Sequence, residues 1–329
     1  MPKRIDRDSH AIESAVGVPD GGDARPTTTV AAEGVDRYTA ALYTSEQHGV
    51  SAEFAAAVQD LERSLERPIW LLVQSAPGKF QEIDEALVSE FLTWKPRLPQ
   101  RQPIVLLIDS LGGSARCAYQ LARLVRRRCG GFSAFVPRQA KSAATLLALG
   151  ADEIVLGKDA EVGPLDAQVW DPDREDVLSA LDEVQALEQL HAFALEALDR
   201  SMLFMLQRAG KKVETLLPAM LRFVTDMMAP LLEKIDAVHY TQTLRALKVA
   251  EEYALRLLQP QYAEEVARQI ARHLVVSYPE HEFVISAEEA STFGLKTRET
   301  SADQDRIVDR MLPYLSELTA VGPLVRVKE

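Results

Sequence analysis

Residues 104–108, Ile-Val-Leu-Leu-Ile, and residues 132–136, Phe-Ser-Ala-Phe-Val, are two near-continuous apolar runs, each followed by a helical spacing. A run of that kind reads as a strand covered on both faces, the usual state of a parallel sheet. Beyond the first run, Ala115, Ala118, Leu121, Ala122 and Val125 recur at helical intervals over residues 114–128. Gly130 and Gly131 end that helix, and the second run leads to another over residues 142–149. Residues 69–73 and 153–156 read as further strands, and residues 51–67 and 81–94 as helices, the latter stopped by Pro96. Phe54, Val58, Leu61 and Leu65 share one face of the first helix, with Ser51 at its start. Strands alternating with helices pair in parallel through right-handed crossovers, so the expected fold is α/β.

The two junctions also hold the parts of an acyl-transfer site. A hydroxyl that attacks a carbonyl creates an oxyanion, which preorganised N–H donors stabilise. Gly112 and Gly113 follow the first strand, and without Cβ atoms they allow a sharp turn and close approach to a ligand. Ser142 stands where the next helix begins, with unpaired N–H groups and the positive end of the helix dipole. Ser142 is therefore the candidate nucleophile. Gly113 or Gly112 together with Ala143 are the candidate oxyanion donors. A serine at a helix start also suits an ordinary N-cap, and a glycine pair also suits an ordinary βα turn.

The pattern changes after Trp170. Residues 175–273 carry Leu, Ala and Met at helical spacing with few strand signals. Residues 283–285 then read as a short strand, Ser286 and Glu289 as a capping box, and Gly294 as a helix stop. Residues 1–35, rich in Asp, Arg, Gly, Pro and Thr, show no sustained period. The expected organisation is a flexible segment over 1–44, a nucleophile-bearing core over 45–173, a helical region over 174–278, and a closing strand–helix with a C-terminal helix or tail over 279–329.

The net charge of −12 argues against a nucleic-acid partner. Neither a Gly-x-Gly-x-x-Gly fingerprint nor a Gly-x4-Gly-Lys-[Ser/Thr] loop is present. The two cysteines, Cys117 and Cys129, have no metal-ligand spacing, so no metal or organic cofactor is expected. The N-terminal residues have no apolar core of a secretory signal, and no apolar run approaches a membrane span. A reducing cytoplasmic setting is expected.

Four segments together resemble a known family. Asp109-Ser-Leu-Gly-Gly113 resembles the oxyanion loop of the ClpP/crotonase superfamily. The stretch from Ala140 through Ser142 to Gly157 resembles its nucleophile helix and following strand. Gly163-Pro-Leu-Asp166-Ala-Gln168 and the stretch from His281 to Leu295 resemble motifs of one branch, the serine dehydrogenase proteinase family, related to signal peptide peptidase A. The likeness covers roughly residues 60–170 and 260–300, and four motifs in order are more specific than any one of them.

The resemblance implies a ClpP/crotonase-like spiral of βα units with a large helical insertion. It implies a serine peptidase acting on a peptide or protein. Separately, the apolar stripes over residues 175–273 exceed what one small α/β core can cover, so subunit contacts of a homo-oligomer or a cap over the cleft are expected there. The resemblance does not settle the general base. A ClpP-like His would fall near Leu165-Asp166, and a Lys of the signal peptide peptidase A kind would fall in a stretch that holds His191 but no Lys. Three candidates stand: His281 in the closing motif, Lys248 in the helical region, and Asp166 after the nucleophile's strand. Glu282 is the candidate acid that would orient His281. Two further readings use the same residues: an inactive ClpP-like scaffold that binds partners, and a crotonase-like acyl-CoA enzyme.

Overall fold

A computed structural model describes residues 37–45, 49–165, 168–171 and 176–327. Strands β1 (Tyr38–Ala40) and β2 (Tyr43–Thr44) precede helix α1 (Ala52–Leu65). Then come β3 (Ile69–Gln74), α2 (Glu85–Trp94), β4 (Ile104–Ser110), α3 (Ala115–Cys129) and β5 (Phe132–Val136). Short β6 (Gln139–Ala140), α4 (Ala143–Leu149), β7 (Glu153–Leu156) and β8 (Glu161–Val162) follow. An antiparallel pair, β9 (Gln168–Asp171) and β10 (Asp176–Ser179), leads into α5 (Ala180–Ala209), α6 (Val213–Leu232), α7 (Ala237–Leu258) and α8 (Glu264–Val276). The described chain ends with α9 (Ala287–Thr292), β11 (Thr297–Glu299), α10 (Ala302–Leu315) and β12 (Thr319–Arg326).

The main sheet has the order β1-β12-β3-β4-β5-β7-β11, with the run from β3 to β11 parallel and β12 antiparallel to β3. This is the mixed α/β architecture with a mostly parallel sheet. Every residue of β3, β4 and β5 is buried, because the period-two alternation of a strand feeds two cores. Ile69, Leu71, Val73, Val105, Leu107 and Phe135 meet α1 and α10 on one face. Trp70, Leu72, Leu106, Ile108, Ala134 and Val136 meet α2, α3, α4, α7 and α8 on the other. The helix starts follow their caps: Ser51 accepts from the N–H of Phe54, Asp84 from Leu87, and Ser286 from Glu289. Gly130, at φ +80°, ends α3.

Several expectations are corrected. The helix expected from Gln81 starts at Glu85, because Ile83 instead forms a parallel bridge with Gly113 and Asp84 supplies the cap. The C-terminal helix or tail ends as an eight-residue strand, β12, paired with β3 from Thr319↔Gln74 to Pro323↔Trp70. Gly322 and Pro323 disguise that strand in the sequence; Gly322 takes φ +104°, and a Cβ there would lie 2.4 Å from a Leu42 side-chain carbon. Tyr38–Ala40 and Tyr43–Thr44, expected in the flexible segment, pair with β12. Strand β10 lies in the region expected to be helical, and Ser179 both ends that strand and caps α5. Contrary to the expectation of no membrane-length apolar segment, α6 is long and apolar enough to span a bilayer. An 18-residue window within it has mean hydropathy 1.3 and is 11% buried.

Candidate active site

The glycine loop begins where β4 runs out of apolar residues, at the buried pair Asp109 and Ser110. Ser110 Oγ donates to Gln74 Oε1 at 2.7 Å and accepts the Gly112 N–H at 3.0 Å. Ile83 N–H donates to the Gly112 carbonyl at 2.7 Å, and Ser114 N–H donates to the Ile83 carbonyl at 2.8 Å. Both glycines have positive φ, +108° and +134°. Neither has room for a side chain. A Cβ on Gly112 would lie 2.7 Å from the Lys141 carbonyl oxygen and 2.9 Å from the Ala143 nitrogen. A Cβ on Gly113 would lie 2.7 Å from the Ile83 carbonyl oxygen. Gly112 thus packs directly on the Ser142 turn, and its own N–H is already committed to Ser110. The Gly113 N–H has no acceptor among the described residues.

Ser142 precedes α4 at φ +49° and ψ −116°. Glu66, also at positive φ, sits in the ordinary left-handed region that ends helices. Ser142 does not, and such a conformation costs an L-residue about 1–3 kcal/mol. Ser51, Ser114, Ser179, Ser286 and Ser301 all cap helices through their hydroxyls, whereas Ser142 makes no side-chain cap. The turn is held instead by the main chain. Lys141 N–H donates to the Ser110 carbonyl at 3.0 Å, Ala144 N–H to the Lys141 carbonyl at 2.8 Å, and Leu146 N–H to the Ser142 carbonyl at 3.0 Å. The Ala143 N–H, at the first helical position, has no acceptor among the described residues.

Ser142, Ala143, Gly112 and Gly113 line one cleft of about 770 Å³. Leu146, Leu165, Ala246 and Ala250 give it an apolar wall, so α7 of the helical region closes the site from one side. His281 also lines this cleft. It separates the cleft from a second pocket of about 430 Å³ that contains Gln139, Lys141, Glu161 and Glu282. Lys248 is not brought to the serine: its side chain is 65% exposed and pairs with Glu251 at 3.0 Å. Asp166 lies outside the described residues. The Glu282 side chain is exposed, and its backbone carbonyl lies 3.5 Å from Lys141 Nζ.

With that arrangement in place, comparison with known proteins is informative. The family described as ClpP-like SDH-type serine proteinase matches residues 79–228, from ahead of the glycine loop to the last turn of α6. That stretch is similar to this serine proteinase family. Two uncharacterized proteins of Methanocaldococcus jannaschii are similar to the chain. MJ1495 is 25% identical over 200 residues, which are 60% of this chain and 53% of the relative. MJ0137 is 24% identical over 217 residues, which are 66% of this chain and 60% of the relative. The chain therefore spans little more than half the length of these relatives. Among solved structures, ClpP1 from Listeria monocytogenes covers 73% of this chain and 96% of its own, at 11% identity and a TM-score of 0.35.

The match to the serine proteinase family includes the Ser142 turn and stops short of His281 and Lys248. Around the turn lie supports that reading the sequence does not identify. Asp109, fully buried, receives Arg138 Nε at 3.0 Å and Arg138 Nη2 at 2.7 Å, and Ser75 Oγ donates to it at 3.1 Å. Burial pushes the Asp109 carboxyl above its ordinary value, and the doubly bonded guanidinium opposes that rise. Thr145 Oγ1, also buried, donates to the Ala140 carbonyl at 2.6 Å and accepts the Gly163 N–H at 3.1 Å. The signal was a polar residue at the end of an apolar run for Asp109 and within one for Thr145; each must find a partner when buried.

Proposed function

We propose that this protein is a serine peptidase with Ser142 as its nucleophile. The observation that carries the reading is the Ser142 turn itself. Its backbone is strained, its hydroxyl is not spent on capping the helix it precedes, and it lies beside two N–H groups without acceptors among the described residues. Strain of this kind gathers at sites where a side chain must be presented rather than packed.

In this reading Ser142 Oγ attacks the scissile carbonyl carbon while His281 takes the hydroxyl proton. The carbonyl oxygen becomes an oxyanion and accepts from the N–H groups of Gly113 and Ala143, each worth about 3–4 kcal/mol to the transition state. Collapse of the tetrahedral intermediate breaks the C–N bond, and His281 returns the proton to the leaving amine. Water, deprotonated by His281, then attacks the acyl ester; the C–O bond to Ser142 breaks and His281 returns the proton to Ser142 Oγ. His281 is preferred as base because it lines the same cleft as the serine, whereas Lys248 is exposed and ion-paired. The peptide lies extended along the loop after Gly113, held by main-chain hydrogen bonds. The chemistry uses no metal or organic cofactor. The protein works as a homo-oligomer in the cytoplasm.

A fluorophosphonate probe tests the reading. It should label the wild-type protein at Ser142, as mapped by mass spectrometry. Ser142→Ala should abolish both labelling and peptide hydrolysis, while Lys248→Met keeps both. Undiminished turnover by Ser142→Ala would sink the proposal. A wild-type protein inert to the probe, peptides and esters would point to the inactive scaffold.

A further inference from the structure

We propose that Lys141 is a positioning residue that clamps the closing loop and so sets His281 against the Ser142 turn. The inference rests on the reading of His281 as the general base. Lys141 immediately precedes the serine, and its backbone is part of the nucleophile turn through the bonds from Lys141 N–H to Ser110 and from Ala144 N–H to the Lys141 carbonyl. Its side chain is 10% exposed and runs away from the main cleft. Nζ meets Glu161 Oε1 on β8 at 2.6 Å, and lies 3.5 Å from the Glu282 carbonyl and 3.4 Å from the Phe283 carbonyl.

The route of that side chain depends on Gly163. A Cβ at Gly163 would lie 2.8 Å from Lys141 Cδ, so any other residue there would force the lysine aside. Other contacts also anchor the closing loop. Ile285 exchanges two 3.0 Å backbone hydrogen bonds with Val162, and the Phe283 ring packs on Tyr278 at a centroid distance of 5.0 Å. Both hold the loop to β8 and to the end of α8. Lys141 alone among these contacts ties it to the residue beside the nucleophile. The Lys141 ammonium lies against the closing loop and Glu161 and does not line the Ser142 cleft, so Lys141 acts through His281 rather than on substrate.

Lys141 thus ties the loop that carries His281 to the residue beside Ser142. Displacement of a catalytic group by about 1 Å can cost roughly 100-fold in rate. Lys141→Met removes the clamp and keeps much of the side-chain volume. Glu161→Gln weakens it while leaving the lysine in place. Each is measured in the wild-type and in the His281→Gln background, with kcat and KM for a peptide substrate and the rate of fluorophosphonate labelling. Lys141→Met should lower kcat by about 10- to 100-fold with KM nearly unchanged. Glu161→Gln should lower it by a smaller factor. In the His281→Gln background both substitutions should cost nothing further, since residues acting as one unit are not additive.

A second readout does not need turnover. The chain has six histidines, so ring spectra of 15N-histidine-labelled protein are resolvable, with His281 assigned by its loss in His281→Gln. Lys141→Met should move the His281 ring signal. Equal losses in both backgrounds, or an unmoved His281 signal, would overturn the clamp. If Lys141→Met does not fold, Glu161→Gln decides by the same two measurements. If the wild-type protein shows no Ser142-dependent turnover, the peptidase reading fails, and the His281 spectrum still decides the clamp.

Discussion

At the scale of single residues, Ser142 and the two glycines follow opposite rules. Gly112 and Gly113 exist because a Cβ would strike backbone atoms at 2.7 Å. Ser142 holds a conformation that glycine would take without strain, yet it carries a side chain. Ser142→Gly should therefore stabilise the protein by about 1 kcal/mol, the relief of strain less the greater freedom of the unfolded glycine. Urea unfolding of the two proteins measures this. A Ser142→Gly protein less stable than the wild type would mean that the turn is not strained. The serine and both glycines were readable because they sit at strand-to-helix junctions, which are local. The choice of Gly113 over Gly112 was not, because it depends on Ser110 Oγ taking one N–H.

At the scale of elements, the end of β4 meets the turn after β5 through a buried charge. Asp109 is fully buried, and Arg138, 29% exposed, covers it from the β5–β6 turn. Removing one partner of such a pair leaves an uncompensated charge and costs about 3–5 kcal/mol. Arg138→Met should lose that much at neutral pH. Burial already raises the Asp109 carboxyl in the folded state, and loss of Arg138 raises it further. An acid with a raised folded pKa loses stability as pH climbs from the unfolded value, about 3.9, through the folded one. The deficit of Arg138→Met should therefore shrink on acidification towards pH about 4. Urea midpoints for wild type and variant at acidic and neutral pH give the answer; a deficit independent of pH would mean that Asp109 carries no charge.

At the scale of the molecule, α5 and α6 leave apolar surface uncovered. Leu217 and Leu221, one turn apart, are 38% and 47% exposed, and Phe193, Phe204 and Phe223 are each about half exposed. Surfaces of this kind usually mark an interface. Although α6 has the length of a membrane span, Glu214, Arg222 and Asp226 within it are costly in lipid and acceptable at a protein contact. The protein should therefore sediment as an oligomer at roughly micromolar concentration. Leu217→Asp with Leu221→Asp should shift it to smaller species without loss of helix signal by circular dichroism. A monomeric wild type would rule out the self-association, and co-sedimentation with phospholipid vesicles would assign the surface to lipid.

The parallel α/β core, the glycine loop and the serine junction were legible in the chain because each is written in neighbouring residues: apolar runs, helical spacing, turn glycines. The capping serines at Ser51 and Ser286 were legible for the same reason. Strand β12 was not, because a strand with Gly and Pro inside it gains its identity only from the β3 edge it joins. Nor was the split among base candidates. His281 and Lys248 are both remote from Ser142 in sequence, and only packing brings His281 to the cleft while turning Lys248 towards Glu251 on the helix surface. Contacts between distant residues depend on how the layers stack, and a linear pattern of residue types does not encode them.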